Sequence, residues 1–436
     1  MTPASPSERV VRVAVLGCGT VGTALVRILQ DRSDALAVQS GARLEVAGIA
    51  VRDLALERAP GIPRGLLTTG AAELVADPSV DVVVELIGGT DPAERLVRNA
   101  LELGKPVVTA NKALLASPEG VALRSLAKKH GADLLYEAAV AGAIPLVRAL
   151  RESLTGERIH RVMGIVNGTT NFILTKMGEQ GADYADALAE AQALGFAERD
   201  PTADVEGFDA AAKAAILAGV AFGYDVASAD VMREGITAIR AVDVEFADRL
   251  GYAVKLLAVV ERTGDDALSV RVHPAMVPKS HPLAGVRGAF NAVFIEGEAA
   301  GELMLYGQGA GGLPTASAVV GDLIDAVRNR LAGTTAPSPD RQPARLLPES
   351  ELRTQCYVSL QVTDRPGVLA AVAKVFGDNN VSIRSMEQEG YAGEAQLLFL
   401  THLTSEGDMR STLAALSDLD AVERIGGLMR IVGEPE

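Results

Sequence analysis

The chain has 436 residues, nearly half of them apolar, and a formal charge of -15. That length allows roughly three domains around a sizeable core, and that charge excludes a general nucleic-acid binder, which needs a basic surface to neutralise phosphate. No uninterrupted apolar run is long enough to span a bilayer, MTPASPSER has no basic-then-apolar targeting pattern, and Cys18 and Cys356 are too far apart in sequence to suggest a disulfide framework or a cysteine metal site; the expectation is a cytoplasmic protein with small polar partners, no nucleic acid and no membrane.

From Val10 to about Tyr136, VVRVAVLG, LEVAGIAV, DVVVELIG, PVVTA and ADLLYE read as buried parallel strands, and 21–31, 91–103 and 117–130 as helices between them. This alternation predicts a doubly wound α/β, Rossmann-type sheet over 10–137. Over 138–330 the rhythm changes to an α+β pattern, with strands at HRVMGIVNG, 252–260, 268–277 and 291–297 and helices near 170–178 and 206–222. Residues 331–352 are rich in Pro, Ser and Thr and read as a linker. Residues 353–436 follow the order β-α-β-β-α-β, a ferredoxin-like split βαβ with both helices on one face of a small sheet.

GCGTVG, Gly17 to Gly22, matches G-x-G-x-x-G and sits where that pattern carries meaning, after one strand and at the start of a helix. Gly17 allows the tight turn, Gly19 lets backbone approach a pyrophosphate, Gly22 lets helix and strand pack closely, and Thr20 and Val21 become backbone contacts at the helix N-terminus. A strand-helix turn without a ligand is the competing reading. The second strand ends in Ala50, Val51 and Arg52 instead of the acid that would hold an NAD ribose. Arg52 facing a 2'-phosphate favours NADP, but Asp53 is adjacent, so both cofactors stay open. Lys112 follows PVVTA at the carboxyl end of a parallel strand, where ligands of open sheets bind; a solvated loop lysine reads equally well.

ERDPTADVEGFDAAAK, residues 198–213, sets five carboxylates before a single lysine. Acids at a helix entry account for part of it. In a helix from about Glu206 to Gly223, however, Asp209, Lys213, Ile216 and Val220 share one row, which draws the lysine to the edge of the core. Burial lowers a lysine pKa and a neighbouring aspartate raises it, so such a lysine is tunable as an acid-base group; an i,i+4 ion pair worth a few tenths of a kcal/mol is the bland alternative. Hydride addition to an aldehyde leaves an alkoxide that needs a proton, which a lysine held by Asp209 could supply. Glu198, Asp204 and Asp209 would suit an amino-acid ammonium group. No HExxH or Cys-x-x-Cys pattern implies zinc.

Around this stretch the chain resembles the homoserine dehydrogenase family, through Ala191, Gly195, Phe196, Ala197, Asp200, Pro201, Asp204, Val205, Gly207, Asp209 and Lys213. VTANKALLA at 108–116, YEAAVAGAIPLV at 136–147, VNGTTNFIL at 166–174, HPLAG at 281–285 and YGQGAGGLPTASAVVGD at 306–322 are also family-like, so the resemblance covers most of 10–330. It implies reversible NAD(P)-dependent interconversion of L-aspartate 4-semialdehyde and L-homoserine. Lys213 would move the proton, Glu198 and Asp209 contact substrate with Asp204 nearby, Lys112 serve substrate and nicotinamide, and Gly195 and Gly309 line the cofactor. It further implies a monovalent cation, usually sodium, on main-chain oxygens of Glu137, Val140, Gly142 and Ile144, a return of 306–330 to the nucleotide domain, and a homodimer or homotetramer. The tail resembles an ACT domain through TDRPGVLAAVAKVFGDNNVSI, residues 363–383, implying L-threonine as effector; a purely structural dimerisation module is the other reading. Different functions consistent with the residues alone are another Rossmann-type amino-acid oxidoreductase and a non-enzymatic nucleotide and amino-acid sensor.

Overall fold

The computed structural model describes residues 9–264, 267–391 and 394–433; MTPASPSE, most of the stretch read for targeting, lies outside them. The chain divides into two compact units. One comprises the residues up to Ile159 with Ala215–Asp230 and Leu305–Pro343, the other His160–Ala214, Val231–Met304 and the residues from Ala344 onward.

The first unit is built on six parallel strands, β1 (Val10–Leu16), β2 (Arg43–Ala50), β3 (Leu67–Thr68), β4 (Val82–Glu85), β5 (Val107–Thr109) and β6 (Leu134–Leu135), in the order β3-β2-β1-β4-β5-β6. This is the doubly wound order, and the strand sequence reverses between β1 and β4. Val13, Val15, Val82 and Val84 are fully buried, as expected for strands covered on both faces. Helix α1 (Thr20–Asp31) follows β1. In α2 (Ala93–Glu102), Ala93, Leu96, Val97, Ala100 and Leu101 are buried at spacings of three, one, three and one, a single apolar stripe. Helix α3 (Pro118–His130) starts with proline, ends in Lys128, Lys129 and His130 and stops at Gly131 with φ +61°, so its dipole and its chain reversal are both satisfied locally. The core of this unit is completed by a distant segment. Helix Gly312–Ala332 packs Ala316, Val319, Leu323, Ala326 and Val327 into the cluster that holds Val15, Leu25 and Leu29.

In the second unit, β7 (Ile159–Ile165) pairs antiparallel with β8 (Tyr252–Arg262), which forms a long antiparallel pair with β9 (Ala267–Pro278). Strand β10 (Phe290–Gly297) lies beyond β7. Helix α4 (Gly168–Gln180) buries the run Thr169 to Leu174, and α5 (Phe208–Phe222) begins after Gly207, whose φ of +79° breaks the chain away from the short preceding helix Thr202–Val205. Helix α6 (Ala241–Arg249) follows. The tail adds β11 (Cys356–Thr363), α7 (Val368–Asp378), β12 (Ile383–Tyr391), β13 (Glu394–Thr401), α8 (Glu406–Ser417) and β14 (Val422–Ile431), the β-α-β-β-α-β order expected. Its sheet runs on from the preceding one: β14 pairs with β9, Ala275 opposite Arg430 and Met276 opposite Ile431, giving β10-β7-β8-β9-β14-β11-β13-β12. In the Pro-rich stretch, Gln342–Pro343 pairs with Tyr224–Asp225 and Arg345–Leu346 with Ala267–Leu268. No helix among the described residues is long and apolar enough to cross a membrane.

Candidate active site

The glycine-rich turn has the geometry that its spacing requires. Gly17 sits at φ +106°, and a Cβ there would stand 2.6 Å from the Leu86 carbonyl oxygen. At Gly22 a Cβ would lie 2.2 Å from the Gly17 oxygen, so α1 and the turn touch through this missing side chain. Gly19 faces open space, with no atom within 4 Å of its notional Cβ. No side chain caps α1, whose first N–H groups are therefore available to an anion. Thr20 is exposed and Val21 half-buried at that end. Gly312 approaches Thr20, its Cβ position 3.0 Å from the threonine methyl, and Gly309 packs on Gly142, so the second glycine-rich segment borders the first. These residues fit a dinucleotide.

Arg52 is exposed just past β2. Sequence reasoning missed Arg58, which donates to the carbonyl oxygens of Cys18 and Asp53, both at 3.1 Å, and ties the loop after β2 to the glycine turn. An arginine in an otherwise irregular loop carries no pattern that would have revealed it. Lys112 is half-buried and opens a short helix, Lys112–Leu115, capped by the Asn111 side chain, which also donates to Gly89 O at 2.6 Å.

The segment from Glu137 to Ile144 turns sharply, with Ala141 at φ +59° and Gly142 at φ +55°. The buried Glu137 carboxylate accepts from the backbone N–H groups of Val147 and Arg148, both at 2.8 Å, and burial raises its pKa above the ordinary value. Val140 and Gly142 are buried, and among the described residues no N–H donates to their carbonyl oxygens; the Ile144 oxygen accepts from Leu146 N–H. Buried oxygens of this kind suit a hard cation. Among the described residues no group of three or more His, Cys, Asp or Glu side chains is arranged to hold a metal ion.

In the second unit the acid-rich stretch folds into a compact polar cluster. Asp209 and Lys213, one turn apart on α5, are 6% and 8% exposed, and the lysine Nζ donates to Asp209 Oδ2 at 2.7 Å and to Val166 O at 2.5 Å. Both groups stay near the apolar row that includes Ile216. Asp204 joins them through Asn167, whose Nδ2 donates to Asp204 Oδ1 at 2.7 Å and to Asp209 Oδ2 at 2.9 Å. Thr169 lies against Asp204 Oδ2 at 3.3 Å and donates to Phe196 O at 2.6 Å. The structure thus brings Asp204, Asp209 and Lys213 together and leaves Glu198 exposed; Gly195, at φ +77°, ends the helix before it. Asn167 and Thr169 were missed as site residues because N-G-T-T after a strand reads simply as a helix cap.

A dinucleotide turn on a doubly wound sheet, together with a buried lysine-carboxylate pair able to move a proton, defines an NAD(P)-dependent oxidoreductase. Comparison with known proteins gives the particular one. The model for the homoserine dehydrogenase NAD-binding domain matches residues 17–137, that for homoserine dehydrogenase 145–324 and that for the ACT domain 357–421. Homoserine dehydrogenase from Mycobacterium tuberculosis is 51% identical over 98% of both chains, and that from Bacillus subtilis 42% identical over 98% of this chain and 99% of its own. The crystal structure of a homoserine dehydrogenase from Thiobacillus denitrificans superposes with a TM-score of 0.90 at 41% identity, covering 97% of this chain and 98% of the other. A hyperthermophilic archaeal homoserine dehydrogenase in complex with NADPH matches at a TM-score of 0.62 and 32% identity over 73% of this chain and 97% of its own. The chain belongs to the homoserine dehydrogenase family.

Proposed function

We propose that the protein interconverts L-homoserine and L-aspartate 4-semialdehyde, with Lys213 as the group that moves the proton. The observation that carries this reading is the Lys213 ammonium, 8% exposed and held between Asp209 Oδ2 and Val166 O. In the oxidative direction neutral Lys213 takes the hydroxyl proton of homoserine; in the reductive direction its ammonium returns a proton to the carbonyl oxygen. The bound nicotinamide supplies or accepts the hydride. Asp209 holds the lysine in place and stabilises its charged form. Asp209, Asp204 and Glu198 together attract the substrate ammonium, and Lys112 serves substrate and nicotinamide as a second cation.

Gly17, Gly19, Thr20, Val21 and Gly22 hold the pyrophosphate, with Gly195 and Gly309 also along the cofactor. NADP is the preferred form, supported by Arg52 and by the absence of an acid at the end of β2. A monovalent cation, sodium in this reading, binds the main-chain oxygens of Glu137, Val140, Gly142 and Ile144, where it would fix the loop. L-threonine regulates the enzyme through the tail. A cavity of about 350 Å³ lined by Asp364, Arg365, Gly367 and Gln388 supports this, since an amino acid needs an acid for its ammonium and a base for its carboxylate. The enzyme works in the cytoplasm as a homodimer or homotetramer.

The test is an assay of homoserine oxidation with NAD and NADP in parallel, with and without threonine, on the wild type and on Lys213→Ala. The variant is expected to bind NADPH normally and to lose turnover by roughly 100-fold or more, since only proton transfer is removed. A near-wild-type kcat would remove Lys213 from the mechanism.

A further inference from the structure

Asn167 makes more bonds than a helix cap needs. It follows β7 and caps α4: its Oδ1 accepts from Thr170 N–H at 2.9 Å and from the Thr170 hydroxyl at 3.0 Å. The backbone N–H can only donate, which fixes that end of the amide as oxygen and turns the Nδ2 the other way. There it meets two carboxylates from different helices, Asp204 at 2.7 Å and Asp209 at 2.9 Å. The residue before it, Val166, accepts from Lys213 through its carbonyl. Two consecutive residues at the end of one strand therefore hold the lysine and both acids.

The electrostatics need this arrangement. Asp204 and Asp209 are like charges converging on one site, and without a donor between them one would be driven toward protonation or both would separate. Asn167 supplies a hydrogen to each and brings no charge. Asp209, on the same helix, accepts from Lys213, and Asp204, on the short helix before it, shares the Asn167 amide with Asp209; Val166 at the end of β7 and Asn167, Thr169 and Thr170 at the start of α4 border the cluster without charge. Asn167 therefore places a neutral amide between the two acids, one of which holds the lysine.

We propose that Asn167 is a positioning residue for proton transfer, bridging Asp204 and Asp209 so that Asp209 is held against Lys213; this rests on the assignment of Lys213 above. Two variants test it in the full-length protein, because Ser and Asp both retain an oxygen able to cap α4 while losing the amide. In Asn167→Ser, kcat/KM for homoserine oxidation should fall about 100-fold, the cost of a misplaced catalytic group. In Asn167→Asp the added charge beside Asp209 should move the ascending limb of the pH profile upward by about one unit, and by less in Asn167→Ser.

NADPH affinity is read alongside and should stay near wild type, while thermal melting is read to show that both variants fold, with Asn167→Asp melting lower because it buries a third carboxylate. A profile that does not move in Asn167→Asp, whatever happens to the rate, makes Asn167 a structural cap only and overturns the proposal. Wild-type kinetics in both variants does the same. Lys213→Ala separates the two ideas. If it retains turnover, the assignment of the lysine fails; if it is inactive while both Asn167 variants keep the wild-type profile, only the bridge fails.

Discussion

Two lysines of the second unit are buried, and they differ in what holds them. Lys213 has a carboxylate at 2.7 Å, whereas Lys255, 3% exposed on β8, donates to Asn171 Oδ1 at 3.1 Å and to Val286 O. Burial outweighs these neutral acceptors and lowers the Lys255 pKa to about 8, with Glu179 opposing the shift and Arg287 adding to it. Because the folded-state value lies below the unfolded value of 10.5, the unfolded chain binds more protons between the two, and stability should rise as pH climbs from about 8 toward 10.5. Urea unfolding of wild type and Lys255→Met at pH 7.5 and 9.5 checks this. The wild type should gain relative to the variant, at about 1.4 kcal/mol per pH unit within that window; a constant difference would show that the folded and unfolded pKa values coincide. The contrast also marks what single residues disclosed. Asp209 and Lys213 were legible because their spacing places them on one helix row with apolar neighbours. Lys255 sits in an apolar strand and Asn167 looks like a cap, and their roles arise from atoms far away in sequence.

The glycine-rich turn lets an element-scale argument be tested, since its three glycines are required for different reasons. Gly22 is needed for contact, because any Cβ would meet backbone oxygen at 2.2 Å and backbone must move. Gly19 is not needed for contact, because its φ of -82° and open surroundings accept a side chain; in the proposed cofactor site that side chain would stand in the pyrophosphate's approach. Gly22→Ala should therefore lower the melting temperature and weaken NADPH binding together. Gly19→Ala should keep the melting temperature and weaken NADPH binding by about tenfold or more. Equal melting losses in both would contradict the distinction. Elements with one clear signal were legible, such as β4, buried at every position, β1, buried from Val13 to Leu16, and the amphipathic α2. Helix Tyr184–Ala193 and α6 were not predicted. Each is short and buries only part of itself, Ala187 and Ala191 in the first, so its apolar period was too thin to stand out.

At the scale of the whole chain, the tail was legible as a β-α-β-β-α-β unit, but its attachment was not. Sheet order is set by pairing across long sequence separations, and nothing in the local pattern of β9 or β14 says that Ala275 will face Arg430. The chemistry that secures this seam is charged and, apart from half-exposed Glu234, buried. Arg430, 2% exposed, donates to both Glu406 oxygens, at 2.9 and 2.7 Å, and pairs with Glu234 on the other side of the join; Tyr357 of β11 donates to Asp243 of α6 at 2.7 Å. Burial opposes the arginine charge, but the two carboxylates dominate and hold it protonated far above the usual range. Removing only the guanidinium leaves Glu406, 5% exposed, without the cation that compensates its burial. Arg430→Met is therefore expected to cost about 3–5 kcal/mol in denaturant unfolding, whereas Arg430→Met combined with Glu234→Leu and Glu406→Leu should recover most of that loss, because desolvation offsets much of what the buried Arg430–Glu406 pair contributes and half-exposed Glu234 adds less. If the single variant unfolds like wild type, the seam is held by its backbone pairing and apolar contacts alone. If the triple variant is no better than the single one, the charges specify the join as well as stabilise it, since apolar side chains of similar size would then fail to replace them.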